Sequence, residues 1–315
     1  MTQAKPQAQR ADTQFFDWCG YRCAYEAYVA DSSVTDSGNS SPDSLPLLLI
    51  HPIGVGLSRQ FWHPFCDAWQ EKGDRHPIYN SDLLGCGESD KPRAAYTPDD
   101  WADQLLHLVK TVIQRPVVVV VQGALFSVAI RMVQKTAGTP WIKGLVLAGP
   151  PGWSLVSQGA KLTQQKLLWN LLFDSPLGAA FYRYARRRKF LDSFSKRQLF
   201  ASTSTVDEAW LVTLKAGAQD PATRHAVFSF LAGFWRKNYT EAIEQIQQPT
   251  LVLFGEEASG IDRASRLDSA QKRLQDYLHH LPQAQGALVP GRNVLPYEST
   301  SDFVAEVDRW LCTLV

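Results

Sequence analysis

Continuous apolar runs alternate with stretches of helical periodicity along most of this chain. The longest run is a series of five valines, 117–121, which follows Pro116 and shows no alternation of polar and apolar residues. Such a run is typical of a parallel strand buried on both faces. Apolar residues then recur at helical spacing from Val128 to Val133. The pattern predicts a central strand, a tight turn at 122–126 and a helix.

Shorter apolar segments of the same kind predict further strands of a parallel sheet. They are Leu47–Ile50, Pro77–Asn80, Lys143–Ala148, Leu251–Gly255 and Gly286–Val289. Segments of helical spacing separate them, and one of these begins with Thr97 as a helix cap followed by Pro98. The mixed aromatic and polar stretch 18–28 predicts an antiparallel hairpin at the sheet edge. Alternation of this type favours an α/β fold with a doubly wound, mostly parallel sheet.

Strand signals are missing between about residues 154 and 248, where the sequence is helical in pattern and rich in Leu, Phe, Trp and Arg. We interpret 154–248 as an inserted helical cap. The core then comprises 15–153 and 249–315, and residues 1–14 form a disordered leader.

Composition narrows the class of protein. The 315 residues are 45% hydrophobic and carry a formal net charge of +1, so a basic surplus of the kind that binds nucleic acid is absent. Five scattered cysteines indicate reduced thiols and, with no second Cys or His pair beside Cys19 and Cys23, no zinc site. No signal peptide or membrane-spanning run is evident. We expect a cytoplasmic protein without a cofactor.

Five segments carry a resemblance to a known superfamily. In chain order they read HPIGVG, DLLGCGESD, VQGALF, PTLVLFGEEAS and VPGRNVLPYES. Their order and spacing resemble the α/β-hydrolase superfamily over about residues 15–315. The resemblance implies the α/β-hydrolase fold with its inserted cap. It also implies a serine at the turn after the central strand, an acid and a histidine as catalytic triad.

All three implied triad positions carry other residues. The serine position falls on Ala124, the acid on Ala258 and the histidine on Asn293. A methyl group cannot form an acyl-enzyme, and an amide does not take a proton near neutral pH. The sequence therefore predicts a degenerate triad.

Displaced catalytic groups are the alternatives to a degenerate triad. Ser127 follows the turn by three residues, and we expect it to cap or pack the start of the helix. Glu256, Glu257 and Asp262 are candidate displaced carboxylates, for which surface positions are the simpler expectation. None of the seven histidines falls in the loop after Val289.

The resemblance also implies an oxyanion hole built from backbone N–H groups. These belong to Leu125 and Ile53, so two donors would converge on a carbonyl or carboxylate oxygen. Around them we place Gly54, Gln122, His51 and Trp153 as pocket residues. His51 and Trp153 also have simpler interpretations as structural residues.

The predicted cap contains an aromatic and leucine-rich stretch followed by a basic cluster. The arginines are Arg183, Arg186, Arg187 and Arg188. Such a segment suits an anionic membrane surface or entry of an apolar ligand with an acidic head group. The interpretation we favour is a lid helix that packs its apolar face on the core and exposes its basic face.

These observations lead to a pseudo-hydrolase that binds a small apolar ligand or a protein partner. One alternative is a hydrolase, lyase or isomerase that uses Gln122, Asn293, Tyr297 or Glu298 in the same pocket. A second is a peripheral membrane or assembly factor. A third is an ordinary serine hydrolase whose motifs lie in another register.

Overall fold

Eight strands form one sheet in the order β1-β2-β4-β3-β5-β6-β7-β8. The computed structural model describes residues 10–29, 44–73, 76–260 and 268–314. β1 and β2 form an antiparallel hairpin, β2 pairs antiparallel with β4, and the remaining pairs are parallel. The strands are β1 (Thr13–Trp18), β2 (Tyr21–Tyr28), β3 (Leu47–Ile50), β4 (Ile78–Ser81), β5 (Val117–Gln122), β6 (Ile142–Ala148), β7 (Thr250–Gly255) and β8 (Ala284–Val289).

Helices cover both faces of this sheet, and seven of those described lie between β6 and β7. We call residues 153–248 the helical insertion. The helices outside it are α1 (His63–Glu71), α2 (Pro98–Leu108), α3 (Phe126–Lys135), α11 (Ala270–His280), α12 (Leu295–Glu298) and α13 (Thr300–Leu311). Those inside it are α4 (Trp153–Ser157), α5 (Leu162–Leu168), α6 (Pro176–Ala185), α7 (Arg188–Phe194), α8 (Glu208–Gly217), α9 (Arg224–Leu231) and α10 (Thr240–Glu244).

Shorter helical turns extend or precede several of these helices. π-turns follow α2, α5 and α7, at Val109–Ile113, Trp169–Phe173 and Ser195–Leu199. 3₁₀ turns lie at Arg59–Trp62, Gly123–Leu125, Thr203–Thr205 and Pro221–Thr223. None of the helices in the described ranges is long and apolar enough to cross a membrane. The expected cytoplasmic location stays a prediction.

The five valines of β5 are divided between two separate apolar cores. Val117, Val119 and Val121 pack into the core on one face of the sheet, and Val118 and Val120 pack into the core on the other. All five are buried. Successive residues of a strand point to opposite faces, so an unbroken apolar run is what a doubly covered strand requires. The predicted central strand and the α/β-hydrolase fold class are confirmed.

The amino-terminal boundary differs from the prediction. β1 begins at Thr13, so Thr13 and Gln14, which we assigned to a disordered leader, are strand residues paired with β2. The cross-strand partners Glu26 and Tyr25 explain this, because pairing satisfies backbone groups that a leader would expose. Residues 1–9 of the leader lie outside the described ranges. The division into core 15–153 and 249–315 and cap 154–248 stays a prediction.

A buried cluster of charged side chains ties the amino-terminal hairpin to the loops beside it. Arg59, which is only 2% exposed, donates from Nε to Glu26 Oε1 at 2.9 Å and also forms an ion pair with Asp82. Its Nη2 donates to Thr13 Oγ1 at 2.7 Å and to Glu88 Oε1 at 3.0 Å. One guanidinium thus joins β1, β2 and the loop after β4. Buried charges are tolerated when they are paired and hydrogen-bonded in this way.

The pKa of the Glu26 carboxyl group is lowered as a result. Burial alone would raise its pKa, but the hydrogen bond and charge of His63 and the charge of Arg59 lower it to about 2, from an ordinary value of 4.5. A carboxylate whose pKa is lower in the folded state stabilises the fold above the unfolded pKa. That stabilisation is lost as the pH falls from about 4.5 towards 2.

We predict that Glu26→Gln destabilises the protein by about 3–5 kcal/mol at pH 7, because Arg59 is left buried without one of its carboxylates. The difference from wild type should shrink as the pH falls through the range 4.5 to 2. Urea unfolding at a series of pH values measures it. Glu306→Gln, which removes an exposed pair with Arg309, is the control and should cost less than about 1 kcal/mol. An effect of Glu26→Gln that is small at pH 7, or independent of pH, would contradict the prediction.

Candidate functional site

A cavity of about 550 Å³ lies at the carboxyl ends of the central strands. Its floor includes Gln122 at the end of β5, Gly149 after β6 and Phe254 near the end of β7. The loop after β3 contributes Ile53 and Gly54, and the helical insertion supplies much of the remaining wall. Ligands of open parallel sheets bind in the crevice outside the carboxyl ends of the strands. The cavity therefore occupies the position where this architecture places a ligand.

The turn after β5 has its apex at Gly123. Gly123 adopts a left-handed φ of 62°, whereas Ala124 is not among the described residues with positive φ. Gly123 also follows the last strand residue, Gln122, directly. The sharp reversal that carries the nucleophile in G-x-S-x-G turns therefore falls one residue before the predicted position. The assignment of the apex to Ala124 is corrected to Gly123, and neither residue has a hydroxyl group.

The position of the apex also bears on the backbone amides of the turn. Residues 123–125 form a 3₁₀ turn, in which the N–H of the third residue points to the carbonyl three residues earlier. For Leu125 that carbonyl belongs to Gln122, so its N–H is directed along the turn. Ala124, by contrast, has one of the first N–H groups of a helical start, which have no intrahelical acceptor. Ala124, Leu125 and Ile53 all line the cavity. The oxyanion hole itself stays a prediction, with Ala124 as the better donor.

Gln122 and Asn293 form a hydrogen-bonded bridge across the floor. Gln122 Nε2 donates to the Asn293 carbonyl at 2.8 Å. The Asn293 amide Nδ2 donates to the carbonyls of Gln198 at 2.7 Å and Ser259 at 3.2 Å. The side-chain N–H groups of Asn293 are thus both donated to backbone carbonyls, and they link the segments at 198 and 259. Gln122 Oε1 is buried and accepts no hydrogen bond from any residue in the described ranges.

The implied histidine position has a second register. Counted back from Pro296, the G-H-x-P spacing places the histidine at Val294, whereas alignment on Phe303 places it at Asn293. Both residues line the cavity. Val294 is buried and apolar, and Asn293 is an amide engaged as described above. Neither register brings an imidazole to the cavity.

The implied acid position is buried but carries no acid. Ala258 is 8% exposed and its N–H donates to the Gly255 carbonyl in a turn after β7. Glu256 and Glu257 are exposed, as expected for surface acids, and neither is among the cavity-lining residues. Asp262 lies outside the described ranges. Within those ranges the loop after β7 therefore presents no carboxylate to the cavity.

Two residues predicted to line the pocket instead make structural contacts outside it. His51 is fully buried; its Nε2 accepts from the Leu83 N–H at 3.1 Å, which leaves Nδ1 as the donor to the Pro52 carbonyl at 2.9 Å. Burial lowers the pKa of His51, consistent with this neutral form. Trp153 stacks on the His280 ring at 3.8 Å between centroids. Because both rings are used in these contacts, neither lines the cavity, and their assignment to the pocket is corrected.

Other proposed site residues are also engaged elsewhere. Tyr297 donates to Asp207 Oδ1 at 3.2 Å. Glu298 accepts N–H groups of Ala201 and Arg292 at 2.7 and 2.8 Å. Neither side chain lines the cavity. Ser127 donates to the Ala124 carbonyl at 3.0 Å and thus packs at the start of α3, as expected.

Several aromatic side chains of the helical insertion line the cavity. They are Trp210, Phe228, Phe230 and Trp235. Helical periodicity indicates burial but does not distinguish a packed interior from a cavity wall, so the sequence carried no signal for this role. The result is a predominantly apolar lining.

Comparison with known proteins follows from this geometry. A model of the alpha/beta hydrolase family matches residues 47–307. The chain belongs to the alpha/beta hydrolase family. No curated protein matches its sequence significantly.

Solved structures agree with this family membership. An esterase from Thermogutta terrifontis aligns with a TM-score of 0.68 and 18% identity, over 98% of this chain and 99% of its own. A serine hydrolase involved in carbazole degradation aligns with a TM-score of 0.68 and 19% identity, over 96% and 99%. A bromoperoxidase from Bacillus anthracis gives 0.68 and 18%, over 95% and 99%. At these identities the likeness shows the alpha/beta hydrolase fold.

The chemistry available to this alpha/beta hydrolase can be read from its cavity lining. Among the described residues that line it, none is Asp, Glu, His, Cys, Lys or Tyr, and the two charged residues are Arg236 and Arg273. The hydroxyl groups are those of Ser195 and Ser259. Ser195 bonds with Leu191 and Trp210, and Ser259 accepts from the guanidinium of Arg292. Among the described residues, neither serine has a basic partner that could remove its proton.

A glycine contact joins the insertion of this alpha/beta hydrolase to the loop after β3. A Cβ atom on Gly217, at the end of α8, would lie 2.2 Å from the Gly56 carbonyl oxygen. A Cβ on Gly56 would lie 1.9 Å from the Leu214 carbonyl oxygen. Backbone approaches this close exclude any side chain. The loop and α8 both line the cavity, so this contact fixes one part of its wall.

We predict that Gly217→Ala destabilises the protein by about 1–3 kcal/mol, because the new methyl group overpacks the contact. Alanine otherwise stabilises a helix by up to about 1 kcal/mol relative to glycine, so the sign of the change is diagnostic. Lys215→Ala, an exposed change on the same helix, is the control and should stay within about 0.5 kcal/mol. Urea unfolding measures both. Stabilisation by Gly217→Ala would show that the loop and α8 do not touch.

Proposed function

We propose that this alpha/beta hydrolase binds a small apolar ligand in its cavity without hydrolysing esters. The observation that carries the proposal is the cavity lining. Within the described ranges it offers no acid, no histidine and no cysteine, and the apex of the turn is glycine. Acyl transfer on this fold needs a nucleophile, a base that activates it and a group that orients the base. The cavity supplies apolar walls and backbone donors.

An enzyme with a different set of residues is the first rival. Of the four residues considered for that role, Gln122 and Asn293 line the cavity, whereas Tyr297 and Glu298 do not. The amide N–H groups of Asn293 hold two backbone carbonyls, and Gln122 Nε2 is bonded to the Asn293 carbonyl. Amides committed in this way do not transfer protons. Their arrangement supports a structural role and therefore favours binding.

The proposal predicts that a fluorophosphonate probe will not label the protein and that p-nitrophenyl esters will be hydrolysed no faster than with heat-denatured protein. Gly123→Ser, which returns a hydroxyl group to the apex, should be equally inactive, because a serine without its histidine recovers almost none of the triad's rate. Intact-mass spectrometry and absorbance measure the two readouts. Covalent labelling or turnover by the wild type would contradict the proposal, and Ser195→Ala and Ser259→Ala would then locate the nucleophile.

We propose membrane contact as a second function, on account of an exposed surface of the helical insertion. We call the exposed side chains of residues 161–189 the apolar-basic surface. Leu171 is 68% exposed and Leu177 is 67% exposed. The other large exposed apolar side chains of this surface are Leu162, Leu167, Leu168, Leu172, Phe181 and Tyr184. Tyr182 and Ala185 of the same segment are buried, so the lid helix favoured from the sequence stays a prediction beside this one.

The charge of the apolar-basic surface suits an anionic lipid bilayer. Residues 161–189 contain seven basic residues and one acidic residue, Asp174, which is paired with Arg93. Arg183 and Arg187 are exposed, whereas Arg186 donates to backbone carbonyls and Arg188 pairs with Glu208. Interfacial helices combine exposed leucine and aromatic side chains with basic residues in this way. Of the four predicted arginines, Arg183 and Arg187 are the better contacts.

A bilayer fits this surface better than a second copy of the chain. In a symmetric dimer the same patch faces itself, so its basic residues would repel one another. Phe181 is 44% exposed and also lines the cavity. The apolar-basic surface is therefore continuous with the ligand cavity. An apolar ligand could pass between bilayer and cavity at this point without crossing water.

We predict that the protein floats with vesicles of phosphatidylcholine and phosphatidylserine, but not with phosphatidylcholine alone. The double variant Leu171→Gln/Leu177→Gln should abolish flotation, and Arg183→Gln/Arg187→Gln should weaken binding by about 2 kcal/mol, at roughly 1 kcal/mol per charge. Val212→Gln, an exposed change on α8, is the control. Absence of flotation, or flotation that the Leu171→Gln/Leu177→Gln pair leaves unchanged, would contradict the proposal. Dimerisation that this pair abolishes would assign the surface to self-association instead.

A further inference from the structure

The two charged residues that line the cavity differ in what they contact. Arg273, on α11, is 3% exposed and its Nε donates to the Asp268 carbonyl at 3.2 Å. Arg236 follows α9 and is half-buried. Its guanidinium forms no ion pair or hydrogen bond with any residue in 10–29, 44–73, 76–260 or 268–314, and its Nε is buried without an acceptor. Arg236 is therefore a cavity cation that has no counter-ion in the described protein.

The surroundings of Arg236 explain why it is unpaired. Its neighbours Phe230, Leu231 and Trp235 in the cavity wall are apolar. The indole N–H of Trp235 is already donated to the Phe230 carbonyl at 3.1 Å. Gln165 lies beside Gly233 and donates its amide to the Gly233 carbonyl at 2.6 Å. No described residue of this wall accepts a hydrogen bond from the guanidinium, and a charged group that is partly desolvated without a partner is costly.

The backbone of Arg236 is held in place despite this. Its N–H donates to the Gly233 carbonyl at 2.8 Å, and its carbonyl accepts from the Ala160 N–H at 3.2 Å. The side chain therefore starts from a fixed point in the cavity wall. The fixed backbone removes part of the entropy cost of binding a complementary anion, and the side chain itself is ordered on binding.

We propose that the ligand is a single-chain amphiphile with an anionic head group, a carboxylate or a phosphate, which Arg236 binds while the chain fills the apolar cavity. This inference rests on the proposed binding function. The planar guanidinium donates two parallel hydrogen bonds to either head group. At about 30 Å³ per water-sized group, a cavity of about 550 Å³ holds about 18 such groups. That number matches one alkyl chain of medium length with its head group.

Calorimetric titration with three ligands of equal chain length tests the inference. The ligands are dodecanoate and dodecyl phosphate, each below its micelle concentration, and dodecan-1-ol below its solubility limit. We expect at least one of the two anions to bind more tightly than the alcohol. Arg236→Gln should weaken binding of that anion by about tenfold to a hundredfold and leave the alcohol within about twofold. Arg309→Gln, which removes an exposed charge from α13 outside the cavity, is the matched control and should change neither.

The outcomes separate this inference from the function on which it rests. Wild-type protein that binds none of the three ligands contradicts the binding function itself. Wild-type protein that binds all three equally, with no effect of Arg236→Gln, retains the binding function and overturns the role of Arg236. Equal weakening of anion and alcohol by Arg236→Gln also overturns it, since the loss is then one of packing. The anion that loses most affinity identifies the head group.

Discussion

Burial of β5 on both of its faces is the constraint on which the site depends. The valines 117–121 pack alternately into two cores, so both faces of the strand are covered. The turn at its carboxyl end is therefore the first part of this segment that can reach the cavity. There Gly123 takes its left-handed conformation and α3 begins three residues later. This geometry places the turn at the cavity floor. What the turn presents is a glycine, the methyl group of Ala124 and the first amides of a helix.

The strands of the sheet could be predicted from the sequence, because an unbroken apolar run is typical of a strand that is buried on both faces. The turn could be located by its strand and helix, but its apex was misplaced by one residue, since a string of small residues does not reveal which one has a positive φ. The loop after β8 shows the same limit. Alignment on Phe303 places the implied histidine at Asn293, whereas alignment on Pro296 places it at Val294. Only the contacts of Asn293 in the structure show what its side-chain amide does.

Features that depend on tertiary arrangement were not predictable. Apolar residues of the segment 162–173 are spread around the helix between polar ones, and a helix of that kind cannot bury every apolar side chain against a single core. The π-turn at 169–173 carries Trp169 and Phe173 inward and leaves the neighbouring leucines exposed. Similarly, nothing in the local sequence marks Arg236 as unpaired. That property arises because apolar wall residues, rather than acids, surround it.

Binding of an apolar ligand in the cavity is tested most directly by a cavity-filling variant. Ala124 lines the floor and is partly exposed to the cavity, so Ala124→Trp should occupy the space that a ligand chain needs. Calorimetric titration with dodecan-1-ol should give saturable binding with a negative heat-capacity change for the wild type, and none for Ala124→Trp with an unchanged circular dichroism spectrum. Absence of saturable binding to the wild type, or equal binding to both proteins, would contradict the account.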